Sequence, residues 1–447
     1  MVKSNRDQCC KCKVEKPTLH IKQAYYCRSC FMYQYVGKYR SILIRLRHGS
    51  RKKGKVLLAC SGGPSSISLV DLTKNIMHTL PNEKKKIQVV PEAVICHIDE
   101  SSLFDPMSGS AETLRARMKE HYPNFEFICH PIEDVFSPQF VKNVNFDKYL
   151  SSEGTENGDY EHWAEYAYKT SSVDHKEQLQ SLFNSIKKTT AKEDLLWHMK
   201  MQMLVTVAQR EGCTYIFFGD SATRQAIKMI SWTAKGRGYS LPLDISVDNE
   251  QTFGVGIIRP MKDMLSKEVG FYNYFSGIDK LVIPPYNFGT MMSAKTSIDR
   301  LTEDFINGLE RDFPSTVSTV CRTVGKLTPS KDMNYKQTCA MCLMPRQTGI
   351  GEWRKHITVT EVPGADTKPS DDGCCGNSQS CSTTNGCKGN KVDINQHLCY
   401  SCQVNFKDYN ATTIQLLPPY VVENTQEQSR DERLLNEIKD FLINDDE

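Results

Sequence analysis

The sequence predicts an α/β protein: a parallel sheet with helices on both faces, flanked by a metal-binding module at each end. Three observations carry this. Short apolar runs alternate with longer segments of helical periodicity between residues 55 and 260. One of those runs, Val56-Leu57-Leu58-Ala59, ends in a Ser61-Gly62-Gly63 turn and a helix start. And the cysteines gather at the two ends, with only Cys60, Cys96, Cys129, Cys213 and Cys321 scattered between. Cys9, Cys10, Cys12, Cys27 and Cys30 lie near the first residue; Cys339, Cys342, Cys374, Cys375, Cys381, Cys387, Cys399 and Cys402 lie near the last.

Composition excludes several classes. With 447 residues, 39% hydrophobic and 24% charged, the chain can bury a large core in two or three domains. No run approaches the roughly 20 apolar residues that span a bilayer, so we expect a cytoplasmic protein with no membrane partner. In that compartment terminal CxxC pairs favour metal over disulfides. The net charge of +3 hides an asymmetry: residues 1–55 sum to +13 and the remainder to −10. A basic end on a nearly neutral protein points to an acidic partner, nucleic acid first, with a solubilising arm as the plain alternative.

Residues 1–54 read as a zinc ribbon plus a basic helix. Cys9-x2-Cys12 and Cys27-x2-Cys30 are separated by 14 residues, so two knuckles offer four soft thiolates to one ion. Structural zinc fits that set. Cys10 is the odd cysteine and His20 an exposed residue. Residues 31–48 form a helix with an aromatic and aliphatic side; Lys38, Arg40, Arg45 and Arg47 fall on its other faces, followed by Arg51, Lys52 and Lys53. This group is the expected RNA-contacting surface. The alternative is a helix docked on the next domain with a solvated charged face, and both can hold together.

Residues 55–325 read as the α/β domain. After the first strand come a helix at 67–80, a strand at Glu92–Asp99, a helix at 110–122 and a strand at 125–131. Helices at 179–188 and 193–211, a strand at 214–219, a strand at 257–260 and a helix at 261–275 follow. Strand, glycine turn and helix N-terminus suit a phosphate, and in such sheets ligands bind at the carboxyl ends of the strands. Yet Pro64 has no N–H and Ser65 stands where an acid would be expected, so Ser61, Gly62, Gly63 and Ser66 look like a partly dismantled nucleotide site. Cys96 and Cys129 read as small buried hydrophobes. Residues 151–175, with six acids against Lys169, are expected to be an insertion.

Residues 326–410 hold a second metal candidate. Cys339-x2-Cys342 and Cys399-x2-Cys402 are 56 residues apart, so spacing alone argues less than at the N-terminus. Residues 360–395 between them are low-complexity and cannot build a core. Residues 411–447 read as an acidic tail, with an amphipathic stretch at 434–442 suited to a partner or only to solvent.

Zinc knuckle, basic helix, strand and SGG loop in this order resemble the PP-loop ATP pyrophosphatase superfamily. Together with SGGPSS, IFFGDSATRQAIKMI, IIRPMKD and the terminal CxxC pairs, the chain is similar to the cytoplasmic tRNA 2-thiolation protein 2 family over most of its length. Active superfamily members read SGGxDS; here Ser61, Gly62, Gly63 and Ser66 match and Ser65 replaces the acid. The thiolase subunits hold an iron–sulfur cluster on three central cysteines. This chain has Thr189-Thr190-Ala191-Lys192 where their cysteine pair would fall and none near Ile283-Pro284-Pro285, so no such cluster is expected. The resemblance implies a non-catalytic, tRNA-binding subunit that forms a heterodimer with the catalytic thiolase. That complex 2-thiolates the wobble uridine of tRNAs for Lys, Glu and Gln, with sulfur from a ubiquitin-like carrier. Two structural zinc ions are expected, and ATP binding stays open. The competing reading is an ATP-dependent tRNA-adenylating enzyme in its own right, with Asp220 binding Mg²⁺.

Overall fold

The computed structural model describes residues 7–48, 54–77, 90–140, 174–353, 394–409, 416–428 and 434, apart from 247, 250–252, 291, 314, 332, 351–352, 408 and 426–427. The expectations for 151–175 before residue 174, for 360–395 before residue 394, for 434–442 beyond Leu434, and for Arg51, Lys52 and Lys53 therefore fall outside the described residues.

The chain opens with a hairpin, β1 (Leu19–Ile21) against β2 (Ala24–Tyr26), and a long helix α1 (Arg28–His48). The α/β domain follows: β3 (Lys55–Ala59), α2 (Pro64–Met77), β4 (Glu92–Asp99), α3 (Ser110–His121), β5 (Glu126–Pro131), α4 (His175–Ser185), α5 (Thr189–Arg210), β6 (Tyr215–Phe218) and α6 (Ala222–Ala234). It continues with β7 (Asp248–Asn249), β8 (Gly256–Ile258), α7 (Ser266–Ser276), α8 (Ile298–Asp312) and α9 (Thr316–Val324), and α10 (Tyr400–Phe406) belongs to the C-terminal module. The sheet runs β5-β4-β3-β6-β8-β7, parallel except for β7, which pairs antiparallel with β8. The strand order reverses beside β3, so the carboxyl ends of β3 and β6 border the crevice where such folds take ligands. The sheet agrees with the sequence-based fold class.

Period-two alternation divides the core. Val56, Leu58, Ile95, Phe217 and Ile258 face one side of the sheet and pack with α1, α2, α3 and α7. Leu57, Val94, Cys96, Ile216 and Ile257 face the other, against α4 and α5. There Leu195, Met199, Met203 and Val207 are fully buried, and buried residues continue round α5, which a sheet on one side and the C-terminal module on the other explain. The two metal modules thus cover opposite faces of one sheet: the N-terminal hairpin and α1 join the first core, the C-terminal cysteines the second.

Three boundaries differ from expectation for identifiable reasons. Helix α2 starts at Pro64, one residue ahead of the Ser65-Ser66 expected to open it, because Pro64 is pre-set for a first helical turn and lacks only an N–H that the turn does not use. Helix α7 starts at Ser266 rather than 261, since Met261–Met264 close a turn (Met264 N–H to Met261 O, 3.0 Å) whose Met264 carbonyl holds Ala222 N–H at 2.7 Å. And the segment read as the start of the acidic tail is packed: Leu417, Tyr420 and Val421 are buried against the C-terminal module.

Candidate metal centres and the loop after β3

Both CxxC sets converge. The sulfurs of Cys9, Cys12, Cys27 and Cys30 lie within 4.8 Å of one another, and so do those of Cys339, Cys342, Cys399 and Cys402. Sulfur–sulfur separations of 3.9 Å (Cys12–Cys27) and 3.8 Å (Cys342–Cys399) match the edge of a tetrahedron built with metal–sulfur bonds of about 2.3 Å. The spacing fits one ion held by four sulfurs. Each set could therefore hold a metal.

The two cages are built the same way. The first pair forms a knuckle in which a residue four positions on turns left-handed: Lys13 (φ 57°) donates its N–H to Cys9 O at 2.9 Å, and Leu343 (φ 62°) donates to Cys339 O at 2.8 Å. The second pair opens a helix. Phe31 N–H reaches Cys27 O at 3.0 Å at the head of α1, and Gln403 N–H reaches Cys399 O at 2.9 Å at the head of α10. A helix N-terminus favours thiolate over thiol. At the N-terminal cage, burial raises the Cys9 thiol, but bonds from the Cys27, Cys12 and Lys11 backbone outweigh it and bring it down to about 6.

Their surroundings differ. Cys9 and Cys27 are buried while Cys12 and Cys30 are part-exposed, whereas all four C-terminal cysteines are buried. The C-terminal cage rests on α5 and the segment after α6. Cys402 Sγ lies 3.8 Å from His198 Nε2, to which Arg237 donates at 3.4 Å; Arg237 also donates to Asp244 at 3.3 Å. Burial and then Arg237 push His198 down to about 3, so it is neutral. Burial opposes the Arg237 charge, but Asp244 and the Cys342, Cys402 and Cys399 sulfurs hold it cationic. Arg237 thus places a buried positive charge beside the cage, where it offsets the negative charge of four thiolates. Tyr420 and Asn424 close the other side, donating to Met341 O at 3.1 Å and Ala340 O at 3.2 Å. At Gly236 (φ 80°) a β-carbon would stand 2.6 Å from the Tyr400 ring, so only glycine lets α10 approach.

The loop after β3 keeps its shape. Gly62 is left-handed (φ 81°), its carbonyl accepts the Ile283 N–H at 2.9 Å, and a β-carbon there would meet Ile283 at 3.3 Å. Ser66 Oγ donates to Gly63 O at 2.9 Å and lies 3.5 Å from Ser61 Oγ. Gly219, at the end of β6, backs onto Ser65 O, where a β-carbon would come within 2.9 Å. Asn273 of α7 donates to Pro64 O at 2.9 Å and accepts from Ser68 at 2.5 Å. Asp220, the acid at the neighbouring strand end, accepts from Lys228 at 2.7 Å and Arg259 at 3.2 Å. Burial would raise its carboxyl, but these two cations hold it below the usual range. The carboxylate that could have taken a magnesium ion is thus neutralised by the protein.

The expected RNA-contacting set is divided. Lys38 pairs with Glu268 at 2.6 Å and reaches Asp263 O at 3.3 Å, which docks α1 on α7. The aromatic side of α1 docks too: Tyr35 stacks on Tyr272 of α7 at 4.5 Å and Tyr39 bonds Thr73 of α2 at 2.8 Å. Arg40 is exposed, and the side chains of Arg45 and Arg47 lie outside the described residues. Sequence reasoning missed His198, Arg237, Asp244 and Tyr420, because no spacing rule links residues of such different sequence distance to the cysteines they surround. Among the described residues no helix is long and apolar enough to cross a membrane.

Residues 297–404 match the family model described as "Cytoplasmic tRNA 2-thiolation protein 2". Proteins of that name from Rattus norvegicus and Bos taurus are 32% and 30% identical, over 99% and 98% of this chain and 92% and 93% of theirs. The one from Homo sapiens is 30% identical over 99% of this chain and 94% of its own. Among solved structures the chain is similar to the U34-tRNA thiolase NcsA from Methanococcus maripaludis, at a TM-score of 0.47 and 14% identity, over 73% of this chain and 91% of that one. The chain belongs to the cytoplasmic tRNA 2-thiolation protein 2 family.

Proposed function

We propose that this chain is a cytoplasmic, tRNA-binding, non-catalytic subunit of a tRNA 2-thiolation complex. Its role in tRNA 2-thiolation follows from its family; the rest is our reading. It pairs with a catalytic thiolase, which modifies the wobble uridine of tRNAs for Lys, Glu and Gln with sulfur from a ubiquitin-like carrier. Each four-cysteine cage takes one structural zinc, which supplies rigidity and no reaction step.

The observation that carries the non-catalytic reading is the state of the crevice. Ser65 occupies the acid's position, the Ser61–Gly62–Gly63–Ser66 loop is tied to itself and to Ile283, and Asp220 is spent on Lys228 and Arg259. A phosphate cradle with serine at the acid's position and Asp220 paired lacks the two carboxylates that the sequence offered for placing a metal on ATP. The tRNA reading rests on the +13 start, with Arg40, Arg45, Arg47, Arg51, Lys52 and Lys53 as the contacting group and Lys38 docking their helix.

The test is the purified chain alone with ATP, tRNA and a sulfide donor. We expect neither adenylated nor thiolated tRNA; either product would make it an enzyme in its own right.

A further inference from the structure

A groove of about 470 Å³ lies between the N-terminal hairpin and the α/β domain, and neither the loop after β3 nor any cage cysteine lines it. Its size is that of clefts that take a nucleotide-sized group. One wall is the hairpin, with His20, Ile21 and Lys22; the floor is the start of α7, with Leu265, Ser266 and Lys267; the far wall is α8, with Asn307, Glu310 and Arg311. No motif in the sequence unites these three segments.

Its charge is lopsided. Lys22, Lys267 and Arg311 converge on it, and the one carboxylate in its lining, Glu310, accepts a bond from Thr223 Oγ1 at 2.7 Å. Arg311 also touches Asp312 at 3.1 Å, but both side chains are largely in water, where such a pair has little hold. Burial, then Lys38 and Arg322, pull the Lys22 ammonium below its ordinary range, against the opposing pull of Glu268 and Asp263. The left-handed backbone of Lys22 (φ 56°) fixes it at the hairpin tip over the groove. Beside it the exposed His20 ring stacks on Tyr25 at 4.5 Å and 26°, a flat face at the groove's edge.

We infer that this groove binds the sugar–phosphate backbone of a single-stranded stretch of RNA, with Lys22, Lys267 and Arg311 on phosphates and the His20–Tyr25 stack against a base. Three cations around a nucleotide-sized cleft with an aromatic face at its lip is the chemistry of single-strand binding. An acidic peptide would use the cations but give the ring stack nothing to do. The inference rests on the tRNA-binding reading and extends it to a surface formed by the hairpin, α7 and α8.

The experiment measures affinity of the assembled complex for substrate tRNA across a salt series, comparing wild type, K267A/R311A and R51A/K52A/K53A. Lys267 and Arg311 are exposed, so their loss leaves folding intact, which a thermal melt checks. We expect K267A/R311A to bind about ten-fold more weakly, with a salt slope shallower by about 2, one for each phosphate contact removed. 4-Thiouridine-substituted tRNA should crosslink to the peptide holding His20 and Tyr25. Unchanged affinity and slope in K267A/R311A, with R51A/K52A/K53A weakened, would overturn the groove and leave the tRNA reading standing. Loss of the partner subunit from K267A/R311A, with tRNA affinity unchanged, would make the groove a protein interface and also overturn it. A wild-type complex that fails to hold tRNA at all would remove the underlying reading.

Discussion

The two metal modules use one construction in two settings. Each has a knuckle closed by a left-handed residue (Lys13, Leu343) and a second CxxC at the head of a helix. The N-terminal cage sits at the surface with two cysteines part-exposed; the C-terminal cage is wholly buried, continuous with the core around α5, and held by His198, Arg237, Tyr420 and Asn424. Local spacing therefore sets the cage, while tertiary packing decides whether its loss is a local or a global event.

The largest expected effect follows directly. Structural zinc sites supply folding free energy outright, about 10–16 kcal/mol in isolated finger peptides. Cys402→Ser should remove one zinc per chain and destabilise the whole α/β domain, because the emptied cage lies in its core. Cys27→Ser should also remove one zinc, but with a nearly unchanged melting temperature for the sheet and new protease cleavage confined to the hairpin and the start of α1. Metal analysis with thermal melts separates these. Equal melts for the two variants would break the contrast.

Next in size are the docking charges. Arg237→Met leaves Asp244 buried without its cation beside the C-terminal cage, and should cost about 3–5 kcal/mol in chemical denaturation. Lys38→Met breaks the corresponding tie of the N-terminal helix to Glu268, but Lys38 is 22% exposed, so about 1 kcal/mol is expected. A larger loss from Lys38→Met than from Arg237→Met would reverse the assignment of the two settings.

The smallest effect is a pH dependence on the C-terminal side. Burial pushes Glu193, near the start of α5, up to about 7, while Ser297 and Lys235 pull the other way. A carboxyl raised in the folded state binds more protons there than in the unfolded chain between its ordinary value and about 7. Stability should therefore fall as pH rises through that window, by on the order of 1 kcal/mol once solvent screening is allowed for. Glu193→Gln should flatten the slope; an unchanged slope would assign it to other groups.

How much of this was legible in the sequence depends on the range of the interaction. Strand β4 lies at the bounds that its apolar run predicts, Glu92–Asp99, because a central parallel strand is apolar on both faces and needs no partner to be recognised. The first cage was readable because its ligands are 14 residues apart. The second was readable only as two pairs, since 56 residues of intervening chain fix no geometry. Its outer layer was not readable: His198 and Arg237 matter only after α5 and α6 fold against the cage. The same holds for β7, two residues long and recognisable only by its pairing with β8. Lys38 shows the converse. Its place in a basic run suggested RNA, and a tertiary partner, Glu268, claims it.

The central claim is that this chain supports thiolation without performing it. The most direct test is thiolation of substrate tRNA by the purified catalytic partner, with ATP and a sulfur donor, in the presence and absence of this chain. Product should form with both subunits and fall to background without this chain. Ser65→Ala should leave the reconstituted activity unchanged, whereas reversing Arg51, Lys52 and Lys53 should lower it. Full activity of the partner alone, or loss of activity on Ser65→Ala in a complex that still holds tRNA, would contradict it.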